Sequence, residues 1–219
     1  MVPDLVPGEA EFLEAARQVL PRRTAELLRG LHDFTRERLE AAALCRTRIR
    51  TAHEAGDPVG VELHAFLRES WGVLDGLARE VSACMAHLAP EAGPGPPGGM
   101  WRRCTFYVLR RTLHAHPSTA DHPVSRLLWE HTRTAPALPY RRLSFLYNLS
   151  LFLPLWPLPE PGRLPGRDDV PEAARGSIRD AGLPPCGLRE GTREIRDWLE
   201  GLLGECYARL TDALRTATR

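Results

Sequence analysis

Apolar residues recur at three- and four-residue steps through most of the chain, which is the spacing of helices with one buried face. The clearest stripe predicts a helix from about Pro58 to Leu88, with Asp57 as its N-cap and Pro58 at its first position. Further stripes predict helices over residues 8–19, 22–55, 100–115, 124–132, 139–153 and 192–216. Gly56 is expected to end the second of these helices.

No segment alternates apolar and polar residues as a strand does, and no repeat period is visible. Glycine and proline predict a flexible connector at 89–99, a Pro-rich surface loop at 154–171 and a loop at 183–191. A short helix over 171–181 is an open alternative to further loop. The fold class predicted from this pattern is all-α, a helical bundle with a Pro-rich surface loop.

The 219 residues, 43% of them hydrophobic, are enough to bury a substantial core. We expect N-terminal helices over residues 1–56 and a bundle core over 57–219, in one continuous domain. Prolines interrupt the longest apolar run, at 149–158, so no membrane span is expected. The N-terminal residues lack the basic and apolar regions of a signal peptide, which favours a cytoplasmic location.

All 29 basic residues are arginines, which excludes a lysine nucleophile, a Schiff base and a Walker lysine. The five cysteines contain no CxxC pair, and we expect them to be reduced core residues. The motifs HExxH and GxSxG are absent from the sequence. The sequence therefore predicts neither a cofactor nor a metal.

Charge is distributed unevenly along the chain, although the net charge is only +1. Residues 100–153 hold eight arginines against two acidic residues, whereas residues 1–99 hold 11 arginines against 15 acidic residues. The same middle segment carries four of the eight histidines and eight of the 15 aromatic residues. Arginines interleaved with aromatic rings suit phosphate contact combined with base stacking.

The basic segment therefore predicts an RNA-binding surface. Its candidate residues are Arg102, Arg103, Arg110, Arg111, Arg141, Arg142 and Asn148. The alternative, which stays open, is that the aromatic residues are core and the arginines form ion pairs with the acidic helices of residues 1–99.

A long amphipathic helix, LRESWGVLDGLAREVSACM, precedes helices that end in PYRRLSFLYNLSLFLPLWPLP. Over roughly residues 60–215 this order resembles the HEPN superfamily of small helical bundles. Many HEPN proteins are metal-independent ribonucleases of phage defence and toxin–antitoxin systems. Their signature is an arginine, often followed by Asn, His or Asp, with a histidine four to six residues beyond it.

At the matching position only Asn148 fits this signature, because Tyr147 stands in place of the arginine and Phe152 in place of the histidine. These two side chains supply neither the cation nor the proton relay of such cleavage. The resemblance therefore implies a catalytically degenerate protein. The leading interpretation is a binding or regulatory component that recognises RNA or a partner protein, in a defence or toxin–antitoxin context.

Two other functions stay open. One is an active metal-independent ribonuclease that uses Arg111 with His116, or Arg126 with His131, since both pairs have the required spacing. Such an enzyme needs arginine and histidine in one open groove, usually across a two-fold axis, so a homodimer is a further open alternative. The other function is a helical sensor that binds a small molecule in the bundle.

Overall fold

A computed structural model describes residues 6–90, 104–133, 137–152, 162–166, 169–170 and 183–217. These ranges contain the helices α1 (Glu9–Val19), α2 (Arg22–Ala55), α3 (Gly60–Leu88), α4 (Phe106–Ala115), α5 (Pro117–Ala120), α6 (Pro123–Arg133), α7 (Leu138–Phe152) and α8 (Leu188–Ala217). Two short strands, β1 (Arg163–Leu164) and β2 (Cys186–Gly187), pair antiparallel. The predicted all-α class is confirmed. Within the described ranges, no helix combines the length and the hydropathy needed to cross a bilayer.

Local sequence signals account for some helix ends, although α3 begins at Gly60 rather than at the predicted Pro58. Gly56 has φ +78°, a left-handed conformation that suits glycine, and it ends α2 as predicted. Thr105 is the N-cap of α4, since its side chain accepts a hydrogen bond from the Val108 N–H. The sequence predicted that this helix begins at residue 100. That prediction is wrong for Cys104 and Thr105, because both lie before the first helical residue, Phe106.

The β1–β2 pair was not predicted, because each strand has only two residues and two residues carry no alternating pattern. Leu188 follows β2 directly, is fully buried and donates its N–H to the Gly162 carbonyl at 2.8 Å. Helix α8 consequently begins at Leu188, inside the segment predicted as the loop 183–191. The predicted start at residue 192 is wrong by about one turn.

The chain divides into two compact units. Unit 1 consists of residues 1–37, 73–134 and 200–219, and unit 2 of residues 38–72 and 135–199. These ranges differ from the predicted division at residue 57, because both units draw on the long helices. The connector predicted at 89–99 lies outside the described residues apart from Ala89 and Pro90, and so do the short helix at 171–181 and most of the loop at 154–171.

The core of unit 1 is built around the second half of α3. Its fully buried apolar residues there include Val73, Leu74, Leu77, Ala78, Val81 and Cys84. The neighbouring helices of unit 1 add Phe12, Leu28, Phe106, Leu109, Leu128, Leu202 and Leu210. This is the apolar stripe that the sequence predicted for the helix ending at Leu88.

Unit 2 has its own core. The main contributors are Leu39, Ile49, Phe66, Leu143, Leu146, Leu188, Ile195 and Leu199. The ring of Tyr140 lies 5.8 Å from that of Trp198, centroid to centroid, and extends this core.

Candidate functional site

Helices α4 and α6 of unit 1 carry arginines and aromatic rings side by side. We call this group the α4–α6 surface and define it as Tyr107, Arg111, His114, Trp129 and Arg133. All five come from the basic segment that the sequence singled out. The surface has an α4 part around Tyr107 and a part around Trp129 where α4 and α6 meet.

In the α4 part, the Tyr107 side chain is 46% exposed. Arg111 lies one helical turn later, and its Nη1 donates to the Tyr107 hydroxyl at 3.1 Å. The guanidinium carbon of Arg111 lies 5.5 Å from the centre of the Tyr107 ring, within the range of a cation–π contact. An exposed ring and an exposed cation are thus held next to each other on one helix.

Where the two helices meet, the His114 imidazole stacks on the Trp129 indole at a centroid distance of 3.7 Å and an angle of 14°. The guanidinium carbon of Arg133, one turn after Trp129, lies 4.9 Å from the indole centre. His114 and Arg133 are exposed, whereas Trp129 is half-buried. Their stacking holds a second cation at a defined place on this surface.

Two predicted RNA-binding arginines are not surface residues. Arg110 is only 6% exposed and lies against the Tyr107 ring, 5.8 Å from its centre. Arg142, 5% exposed, forms a partly buried ion pair with Glu194 of unit 2. Both are corrections to the sequence prediction, because a buried guanidinium cannot reach a phosphate in solution.

The other arginines predicted to bind RNA or to act in catalysis differ in their exposure and in their partners. Arg141 is exposed on α7. Arg102 and Arg103 lie outside the described residues. Arg126, a predicted catalytic residue, pairs with Asp121 at 2.8 Å rather than with an acidic residue of the N-terminal helices. The alternative interpretation was that arginines of the basic segment form ion pairs with acidic residues of 1–99. It therefore does not explain the ion pairs of Arg126 and Arg142.

The segment that was expected to correspond to the HEPN signature packs within unit 2. Tyr147 stacks on Trp71 with parallel rings 4.7 Å apart. The half-buried Asn148 donates its side-chain amide to the Ser144 carbonyl of its own helix, at 2.8 Å. The Phe152 side chain lies outside the described residues.

The four catalytic candidates have separate partners. His116 Nδ1 lies 2.9 Å from the Ser118 hydroxyl, and His131 Nε2 lies 3.5 Å from Glu205. Arg111 contacts Tyr107 and Arg126 contacts Asp121, as described above. In the described part of the chain, no hydrogen bond joins a candidate arginine to a candidate histidine.

Unit 2 contains an arginine cluster that the sequence did not single out. Arg46 and Arg50 of α2 and Arg189 and Arg193 of α8 line a groove of about 330 Å³, which we call the α2–α8 groove. The one signal in the sequence is the four-residue spacing within each pair, which places both arginines of a pair on one helix face. Such spacing is common on solvated helices, and nothing in the sequence joins the two pairs.

The interior of unit 1 holds a second group that the sequence did not reveal. His32 of α2 lies between Glu9 of α1 and Glu80 of α3, and all three side chains are buried. The hydroxyl groups of Thr35 and Tyr207 both donate to Glu80. One sequence feature could have pointed to this cluster: Glu80 is a charged residue at a buried position of the apolar stripe, three residues after Leu77 and four before Cys84.

The pKa values of His32 and Tyr207 in this interior cluster are both raised, which favours their protonated forms. Burial of the ring lowers the pKa of His32, but the hydrogen bond and charge of Glu80, and then those of Glu9, outweigh it and raise the pKa overall. Burial and the neighbouring Glu80 raise the pKa of Tyr207 well above its usual value, so its phenol stays a donor. Among the described residues, no group of His, Cys, Asp and Glu side chains is arranged to hold a metal ion.

Comparisons with protein-family models, with curated proteins and with solved structures gave no match for this chain.

Proposed function

We propose that this protein is a HEPN-like helical protein that binds single-stranded RNA through the α4–α6 surface and does not cleave it. The observation that carries the proposal is the exposed Tyr107 ring with the Arg111 guanidinium bonded to its hydroxyl. A base can pack against the exposed part of this ring, beside the Arg110 and Arg111 guanidinium groups, while the Arg111 cation contacts the phosphate of the strand. The cation of Arg133, held at Trp129, offers a second phosphate contact on the same surface.

RNA is favoured over a partner protein because of the composition of this surface. Arginine and aromatic residues are enriched at protein interfaces too, so these residue types alone do not decide between the two partners. The α4–α6 surface, however, combines two exposed arginines with an exposed histidine and an exposed tyrosine, and none of its five residues is acidic. Such unopposed positive charge suits the phosphates of a strand. Stacking is tolerant of base identity, so we expect little sequence preference.

The separate partners of the catalytic candidates support binding without cleavage. General acid–base cleavage needs a histidine within hydrogen-bond reach of the reacting group, together with a cation for the developing charge. His131 lies beside the carboxylate of Glu205, and Arg126 beside that of Asp121. A homodimer, a cytoplasmic location and a role in defence stay predictions.

The proposal is tested by the salt dependence of RNA binding. Fluorescence anisotropy with a labelled single-stranded oligoribonucleotide should give an affinity that falls steeply between about 50 and 200 mM salt, because phosphate contacts release counterions. The double variant Arg111→Gln, Arg133→Gln should bind more weakly. Its log–log salt slope should be smaller by about 1.4, since each lost contact to a single strand contributes about 0.7.

A matched control separates this surface from overall charge. Arg23 and Arg209 are exposed and lie outside the α4–α6 surface, so Arg23→Gln with Arg209→Gln removes the same charge elsewhere. This control should keep the wild-type slope. Tyr107→Ala should weaken binding by about 1–3 kcal/mol, or roughly 5- to 150-fold, through lost stacking.

Cleavage is measured on the same RNA in the presence of a chelator. The RNA should stay intact on a denaturing gel after prolonged incubation with wild-type protein. Metal-independent cleavage that disappears in His116→Ala or His131→Ala would establish the ribonuclease instead. Absence of salt-sensitive RNA binding at low ionic strength would overturn the proposal and leave protein interaction or small-molecule binding.

A further inference from the structure

We propose that the α2–α8 groove of unit 2 binds a compact polyphosphate, meaning two or three directly linked phosphate groups. This site is separate from the α4–α6 surface and does not rest on RNA binding there. Its ligand chemistry follows from the charge, the size and the hydrogen-bonding groups of the groove.

The charge of the groove is concentrated and positive. Four of its lining residues are arginines, and Glu190 is its one acidic lining residue among those described. Guanidinium groups stay charged throughout the physiological pH range, so the lining carries a net charge of about +3. The first turn of the 30-residue helix α8 also lies here, and the positive end of its dipole adds to the attraction for an anion.

The arginines are available for a ligand. Arg50, Arg189 and Arg193 are exposed and Arg46 is half-buried. Arg189 pairs with Glu54 at 2.8 Å, but that pair is exposed at both ends and therefore weak. Within the described part of the chain, Arg46, Arg50 and Arg193 form no ion pair. Their mutual repulsion is relieved when an anion binds between them.

The size of the groove favours a short ligand. The volume of about 330 Å³ is at the low end for small-molecule sites. The two arginines on each helix are four residues apart, which corresponds to about 6 Å along the helix axis. Linked phosphates concentrate several negative charges within such a length, whereas the phosphates of an RNA strand are separated by riboses.

The chemistry of arginine matches this ligand. Each guanidinium can donate two parallel hydrogen bonds to one phosphate. Arg46 and Arg50 contribute donors from α2, and Arg189 and Arg193 contribute donors from α8. A chain of two or three phosphates can satisfy both helices at once, while a single orthophosphate reaches fewer donors.

The test uses inorganic tripolyphosphate, which has no base to stack, so its outcome is independent of the α4–α6 surface. Isothermal titration calorimetry at about 100 mM salt should give one saturable site. The variant Arg46→Gln, Arg50→Gln should weaken binding by at least about tenfold, because charged hydrogen bonds are lost. The control Arg23→Gln, Arg209→Gln, which removes the same charge outside the groove, should stay within about twofold of wild type.

Titrations with other phosphate compounds identify which kind of molecule supplies the phosphate groups. Orthophosphate should bind at least about tenfold more weakly than tripolyphosphate, since it reaches fewer guanidinium groups. A nucleoside triphosphate that binds as tightly as tripolyphosphate indicates recognition of the phosphate chain alone. Tighter binding of a 5′-triphosphorylated oligoribonucleotide than of the same strand with a 5′-hydroxyl indicates an RNA end as the source.

Three results would overturn the proposal: no saturable binding of tripolyphosphate below about 1 mM, equal losses in the groove variant and the control, or equal affinity for orthophosphate and tripolyphosphate. Circular dichroism of each variant checks that it is folded. If Arg46→Gln, Arg50→Gln does not fold, Arg193→Gln alone provides the same comparison from α8, at a position that is exposed. It should likewise bind tripolyphosphate more weakly than the single-charge control Arg23→Gln.

Discussion

Nε2 of His32 lies 2.9 Å from a carboxyl oxygen of Glu9, with both side chains almost completely buried. On the other side of the ring, Nδ1 lies 3.2 Å from Glu80, which is fully buried. Arg36 reaches Glu9 at 3.3 Å and Tyr207 donates to Glu80. A carboxyl group on each side favours the doubly protonated ring, because that form donates to both.

This arrangement predicts that stability falls as the pH rises. The pKa of His32 is raised in the folded protein, so the ring holds its proton more tightly there than in the unfolded chain. The resulting stabilisation is fully present below the unfolded pKa of about 6.5 and is lost as the pH rises through the folded value. Urea unfolding at a series of pH values from about 6 to 7.5 should show this decline, and His32→Gln should remove it. The series stays below about pH 8 because the cysteine thiols, whose pKa values burial raises in the folded protein, ionise in the unfolded chain above that pH.

Removal of His32 also takes from two buried carboxyl groups the ring that lies between them, which costs about 3–5 kcal/mol and can prevent folding. Nuclear magnetic resonance of ¹⁵N-labelled histidine in the wild-type protein provides an independent measurement. The His32 ring should titrate above about 6.5. A titration midpoint below that value would contradict the prediction, whatever the behaviour of the variant.

The buried stripe of α3 gives a second prediction. Leu74 and Leu77 are fully buried in unit 1. Leu74→Ala or Leu77→Ala should each lower the free energy of unfolding by about 2–5 kcal/mol, since each removes buried methyl groups and leaves a cavity. Val61 lies on the same helix but is 77% exposed, so Val61→Ala should change stability by less than about 0.5 kcal/mol. Equal effects at Leu77 and Val61 in chemical denaturation would remove this face of α3 from the core.

The helices were predictable because their apolar spacing is repeated over many turns. Leu74, Leu77, Val81 and Cys84 stand at three- and four-residue steps, and the structure buries all four. The β1–β2 pair and the start of α8 at Leu188 were not predictable. Both depend on backbone hydrogen bonds between residues 162–164 and residues 186–188, which are distant in sequence. Local patterns contain no information about such contacts.

The candidate surfaces were predictable only in part. The excess of arginine over residues 100–153 led to Arg111, which is exposed, but also to Arg110 and Arg142, which are buried. Adjacent arginines on a helix point in directions about 100° apart, so composition alone does not indicate which one faces solvent. The α2–α8 groove joins residues such as Arg50 and Arg193 that no local pattern relates.

The close approach of α2 and α3 in unit 1 gives a third prediction. Gly76 faces Thr35, and a Cβ at position 76 would overlap the Thr35 hydroxyl and come within 3.2 Å of the Thr35 Cα. Gly76→Ala should therefore destabilise the protein by about 1–3 kcal/mol, although alanine favours a helix more than glycine does. The change also displaces a hydroxyl that donates to the buried Glu80.

Gly30 is the matched control, because it is exposed on α2 and a Cβ there would meet nothing within 4 Å. Gly30→Ala should stabilise the protein by about 0.5–1 kcal/mol through helix propensity. The two substitutions are chemically identical, so opposite signs in urea denaturation isolate the contact with Thr35. In a Thr35→Ala background, which lacks the overlapping hydroxyl, the cost of Gly76→Ala should be smaller. Stabilisation by both alanines would mean that α2 and α3 do not approach this closely at Thr35.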